Sequence, residues 1–156
     1  MSQTRRAGFV ALIGAPNAGK STLTNRLVGS KISIVTRKVQ TTRFPVRGVF
    51  VLGDSQVVLV DTPGIFKPRR RLDRAMVASA WGGAEDADAV VHLVDVQSEL
   101  AVREGHAKAA DHRQIEDAQA ITEGLKASET QAILALNKID GIKRDSLLAV
   151  TQSYFD

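Results

Sequence analysis

The chain has 156 residues, 44% of them hydrophobic and 24% charged, which is enough for one domain with a sizeable core and is an ordinary soluble composition. It contains no cysteine, which excludes a disulfide framework and a thiolate metal site and suits a reducing, cytoplasmic compartment. The net charge of +4 conceals an asymmetry. Residues 1–80 carry 14 basic against 3 acidic side chains, and residues 81–156 carry 7 against 14. Between Ser30 and Gly53 there are five basic residues and no acid. Such a field attracts polyanions, namely a nucleotide, RNA or an anionic membrane surface, or it is a solvated basic face beside a phosphate site.

In chain order, the basic start gives way to "GFVALIG" (8–14), a short apolar run ending in glycine. It reads as a buried strand rather than a secretory leader, and no apolar run is long enough to span a bilayer. "KSTLTNRLVG" (20–29) has helical spacing with Gly29 as its stop. Residues 30–45 read as a loop. "VRGVFVL" (46–52) and "QVVLVD" (56–61) flank Gly53-Asp54-Ser55 as a hairpin. Residues 62–71, with two prolines, read as a loop, and 72–87 as a helix with a weak end. "AVVHLVDV" (89–96) is a second buried strand. Residues 97–112, charged and unpatterned, read as a loop or insertion. A helix over 113–128, a strand over 131–137 and a helix over 146–155 complete the order. Strands alternating with helices predict an α/β fold: a three-layer sandwich, its sheet mostly parallel with one antiparallel strand and helices on both faces.

Three motifs fall at carboxyl ends of strands, where such sheets bind ligands. Gly14-Ala15-Pro16-Asn17-Ala18-Gly19-Lys20-Ser21 (with Thr22 following) fits a phosphate-binding loop between strand and helix. Backbone N–H groups and the helix N-terminus cradle a phosphate, Lys20 reaches the β and γ phosphates, and the Ser21 hydroxyl suits Mg²⁺. Asp61-Thr62-Pro63-Gly64 follows the next strand. Asp61 can bind Mg²⁺ through water and the Gly64 N–H can meet a γ-phosphate. Asn137-Lys138-Ile139-Asp140 closes a third strand. Asp140 can accept two hydrogen bonds from guanine, which adenine cannot supply, and the Lys138 stem can cover the base. A required hydrogen bond of that kind discriminates by about 10⁴–10⁵.

Together "GAPNAGKS", "DTPG" and "NKID" resemble the translation-factor-related class of P-loop GTPases. "KISIVTRKVQTTRFPVRG" (31–48) with "DTPGIF" narrows the resemblance to the Era family of bacterial GTPases that act in assembly of the small ribosomal subunit. It runs from about Gly8 to Asp140 and fits least over 97–112. It implies GTP/GDP and Mg²⁺ as ligands, with Thr42 in a first switch loop closing over Mg²⁺ and the γ-phosphate. Lys20, Thr42 and Gly64 then serve hydrolysis, and Ser21, Thr42 and Asp61 serve the metal. Ile65 stands where many small GTPases place a water-orienting glutamine, so unaided turnover is expected to be slow. Asn17 matches an asparagine that helps hold K⁺ in potassium-activated relatives; the alternative is that it stabilises the loop turn.

The family's fifth motif and its RNA-binding KH domain are not found in these residues, so the chain is expected to be a single GTPase domain, incomplete at its C-terminus. Expected partners are guanine nucleotide and, for the longer family member, 16S rRNA in the small subunit, with a peripheral membrane contact possible, no DNA, and a monomeric state. A second reading keeps a nucleotide-gated RNA-binding module with negligible turnover of its own. Outside the motifs, Arg69-Arg70-Arg71 reads as a solvated loop, His92 as a packed core histidine, and Trp81 as no stacking platform.

Overall fold

Residues 5–29, 46–61 and 87–155 are described by a computed structural model of the chain, Arg47 and Asp61 by their backbone alone. Strand β1 (Arg6–Gly14) leads through a tight loop into helix α1 (Lys20–Val28). A hairpin follows, β2 (Val46–Leu52) and β3 (Ser55–Asp61). Then come β4 (Ala89–Asp95), α2 (Val96–Arg103), α3 (Ala109–Ala127), β5 (Ile133–Asn137) and α4 (Arg144–Phe155). The sheet order is β2-β3-β1-β4-β5. β1 runs parallel to β3 and β4, and β4 parallel to β5. Only β2 is antiparallel, joined to β3 by Gly53-Asp54, with a register shift between Val46 and Gly48. The expected loops at 30–45 and 62–71, and all but the last residue of the helix expected over 72–87, lie outside the described residues.

Register shows which face each helix covers. Gly48 pairs with Leu59 and Leu59 with Val10, so these three share a face. A Cβ on Gly48 would overlap Val28, which puts α1 on that face and explains a glycine mid-strand: only a bare backbone lets the helix lie so close. Ala11 and Ile13 alternate to the other face, where they pack with Val90, Ile121 and Leu125. That seats α3 opposite α1. α4 joins α3 there, because His92, in register with Ile13, meets the Tyr154 ring edge-on at 5.9 Å. The expected three layers are present. The central strands are buried on both faces, with Ile13, Leu59 and Val94 fully enclosed, as parallel sheets require.

The reading of 97–112 as a loop is corrected. Residues 96–103 form α2, and α3 starts at Ala109, four residues earlier than expected. Two carboxylates cause this. Asp95 Oδ1 accepts from the Ser98 backbone N–H at 3.1 Å and caps α2. Asp111 Oδ2 accepts from the Lys108 N–H at 2.8 Å while the Asp111 N–H donates to the Lys108 carbonyl at 3.0 Å, a reciprocal cap that starts α3. The apolar stripe of α2 is short, Val96 and Ala101 being buried, so the charges around it masked the period.

Candidate functional site

The loop 14–19 is held from both ends. Gly14 closes β1, Ala15 and Ala18 are buried beneath the turn, and the Ala18 N–H donates to the Ala15 carbonyl at 3.1 Å. Asn17, at the exposed tip, has φ 66°, a left-handed conformation that asparagine tolerates. Gly19 has φ 103°, and a Cβ there would overlap the side-chain nitrogen of Asn137; glycine is required on both counts. Lys20 begins α1 and folds back over the loop, its ammonium donating to the Gly14 carbonyl at 2.7 Å and the Ala15 carbonyl at 3.3 Å.

The first turn of α1 holds no acidic residue and its N-cap offers no side-chain acceptor. Ser21 and Thr22 stand exposed there. That end of the helix therefore presents backbone donors and the positive end of the dipole beside a lysine, which fits the phosphates of a nucleotide. Asp61 ends β3 in register with Leu12, two residues before the loop. The backbone of Asp61, the first residue of the second motif, thus lies beside the strand that leads into the first. Thr42, Thr62, Pro63, Gly64 and Ile65 lie outside the described residues, as do Arg69, Arg70, Arg71 and Trp81.

The third motif reaches the loop directly. Asn137 ends β5 in register with Asp95 and donates through Nδ2 to the Ala18 carbonyl at 2.9 Å. Lys138, with φ 58°, directs its ammonium to the Asn17 carbonyl at 3.1 Å and to Asp95 Oδ2 at 2.6 Å. Asp140 stands exposed in the turn beyond. A cavity of about 340 Å³ runs along the loop, lined by Asn17, Gly19, Lys20, Ser21, Thr22 and Lys138. The first and third motifs thus form the walls of one space.

Four residues around the loop carry no motif. Asp95 is 7% exposed and joins the cap of α2 to Lys138. Gln114, on α3, donates its side-chain amide to the Pro16 carbonyl. Ser98 Oγ donates to Asp111 Oδ1 at 2.8 Å. The Lys108 N–H and this hydroxyl hold the Asp111 carboxyl below its usual range. Asp95 had one legible signal: it closes a strand, "AVVHLVD", at the same end as the three motifs. Gln114 had none, because one exposed amide on a helix resembles any other.

His92 is a packed core histidine, as expected. It is 3% exposed and its Nε2 lacks a hydrogen-bond partner. Burial, aided by the Lys20 charge, lowers its pKa to about 4, so it is neutral at pH 7. Beside it, Tyr154 donates to the buried Glu99 carboxylate, and burial pushes the phenol well above its usual range.

A glycine-rich loop between a central parallel strand and a helix, faced by an Asn-Lys-x-Asp turn from a second parallel strand, defines a P-loop nucleotide-binding domain of the GTPase class. The chain belongs to the family described as 50S ribosome-binding GTPase, which matches residues 9–138. It is 70% identical over 151 residues to GTPase Era of Caulobacter vibrioides (strain NA1000 / CB15N), covering 97% of this chain and 48% of that protein. The fold is similar to a crystal structure of an Aquifex aeolicus Era variant bound to GDP and AlF4⁻, with TM-score 0.63, 32% identity, and coverage of 95% of this chain and 46% of the other. It is also similar to Era in complex with MgGDPNP and nucleotides 1506–1542 of 16S ribosomal RNA, with TM-score 0.65, 31% identity, and coverage of 96% and 47%. The chain thus spans about half the length of the Era proteins it matches. The Era resemblance drawn from the motifs is met by these matches.

Proposed function

We propose that this chain is the guanine-nucleotide domain of an Era-type molecular switch that binds GTP and GDP with Mg²⁺ and hydrolyses GTP slowly. The observation that carries the reading is the pair of hydrogen bonds from Asn137 and Lys138 to the backbone of the phosphate loop. They make the base-side and phosphate-side motifs a single site. In this reading Lys20, with backbone N–H groups of the loop and of the first turn of α1, holds the β and γ phosphates. These groups also balance the charge that develops as water attacks the γ-phosphorus. Asp140 accepts from the guanine edge, and the Lys138 stem lies along the base. Magnesium, when bound, would neutralise phosphate charge, and Ser21, Asp61 and Thr42 would hold it. Asn17 would help hold a potassium ion between the phosphates.

The ribosomal role rests on the Era likeness. The family description names the 50S subunit, but the Era neighbour carries a 16S rRNA segment. We take the small subunit as the target of the Era-type switch, since the Era matches are the more specific. Among the described residues no helix is long and apolar enough to cross a membrane.

The test is a calorimetric titration of the chain with GDP, in Mg²⁺ and KCl, with excess ATP present. Binding that survives ATP and is lost in Lys20→Met is the expected result. Equal competition by ATP would remove the guanine assignment. GTP turnover faster in potassium than in sodium is expected from the role given to Asn17.

A further inference from the structure

Asp95 belongs to none of the three motifs, yet it occupies the joint between two of them. Its two carboxylate oxygens do separate work. Oδ1 caps α2 through the Ser98 N–H, and Oδ2 takes the Lys138 ammonium at 2.6 Å. The Asp95 side chain is 6% exposed and the Lys138 side chain 36%. Lys138 and Asn17 form the wall shared by two cavities. One, of about 340 Å³, runs along Gly19, Lys20 and Ser21. The other, of about 430 Å³, lies between the loop and the α2–α3 corner and includes Asp95, Ser98 and Asp111 in its lining.

A lysine at φ 58° is in a sparsely populated conformation that persists only where surrounding contacts determine it. Its contacts are Asp95 on one side and the Asn17 carbonyl on the other. Without the carboxylate, a neutral carbonyl alone would hold a flexible ammonium that water solvates well. The carboxylate is buried, so its charge acts with little screening. Asp95 itself is placed by β4, in register with Asn137, and by its cap on α2. The lysine is thus referred to the rigid sheet.

We propose that Asp95 is a positioning residue for guanine-nucleotide binding: through Lys138 it locks the base-side turn to the phosphate loop, so that the nucleotide meets walls already in place. This rests on the nucleotide-binding role argued above. The cost of ordering the loop is then met on folding rather than on binding, and loss of the lock shows mainly as faster release.

Asp95→Asn separates the two tasks, because asparagine still caps a helix but turns an amide toward the ammonium. Lys138→Met keeps the stem and removes the charge. Release of a fluorescent GDP analogue is followed by stopped flow in Mg²⁺ for the chain, both variants and the double variant. Asp95→Asn is expected to speed release about tenfold. The double variant is expected to release within about twofold of Lys138→Met alone. A change below about twofold in Asp95→Asn, or its full effect persisting on Lys138→Met, would overturn the proposal, since a purely structural aspartate acts independently of the lysine. Hydrogen exchange of the nucleotide-free chain gives a second readout. Amides of residues 17–19 are expected to exchange faster in both single variants than in the parent. Unchanged protection there overturns the lock. If the parent takes up no GDP, the nucleotide-binding reading falls, and exchange alone decides whether the lock exists.

Discussion

Gly19→Ala offers the most direct check on the geometry of the site. At φ 103° an alanine is outside even the usual left-handed region, a strain of about 1–3 kcal/mol. Its Cβ would also overlap Asn137 Nδ2 and displace the hydrogen bond to the Ala18 carbonyl, a further loss of about 1 kcal/mol. The sum is about 3 kcal/mol, to be read by urea denaturation of the nucleotide-free chain. With a slope near 2 kcal/mol per molar for a protein of this size, the midpoint falls by about 1.5 M. Asn137→Ala removes the obstruction and the bond together. In that background the glycine substitution should cost only the backbone strain, about 2 kcal/mol. A shift below about 0.5 M in the parent, or an equal shift in both backgrounds, would refute the claim that Asn137 and Gly19 are in mutual contact.

Three further outcomes are expected. The folded pKa of His92 is lowered to about 4 from 6.5, so below pH 6.5 the unfolded chain binds a proton that the folded chain refuses, and stability falls as pH drops from 6.5 toward 4. Between pH 7 and 5 the loss is about 2 kcal/mol; His92→Leu should flatten that slope in denaturation measured across pH. Ile121→Ala empties a fully buried position against Ala11 and Ile13, for a loss of about 2–5 kcal/mol by the same assay. Tyr154→Phe leaves the buried Glu99 with the Arg103 guanidinium at 4.0 Å, and a thermal melt should register about 1–3 kcal/mol.

Local pattern carried much of the fold. Residues 8–14 and 89–95 read as buried strands because parallel strands with both faces covered are apolar throughout, and the hairpin was marked by Gly53-Asp54. The phosphate loop was legible because its glycines, lysine and serine are tied to one backbone shape. Helix α2 was not legible. It is eight residues long, too short for a period to rise above its charges, and it owes its start to caps that a sequence does not distinguish from ordinary acids.

By itself, the sequence determined the alternation of strands and helices, the three motifs and the class of ligand they suit, because each is written in neighbouring residues. The tertiary structure decided which of those motifs meet. Asn137 and Ala18 are 119 positions apart, and nothing local in either predicts a bond of 2.9 Å. They touch because β1 lies beside β4 and β4 beside β5, which lines up the carboxyl ends of three strands at one edge. The same order brings Asp95 between them and turns an unremarked strand end into the joint of the site.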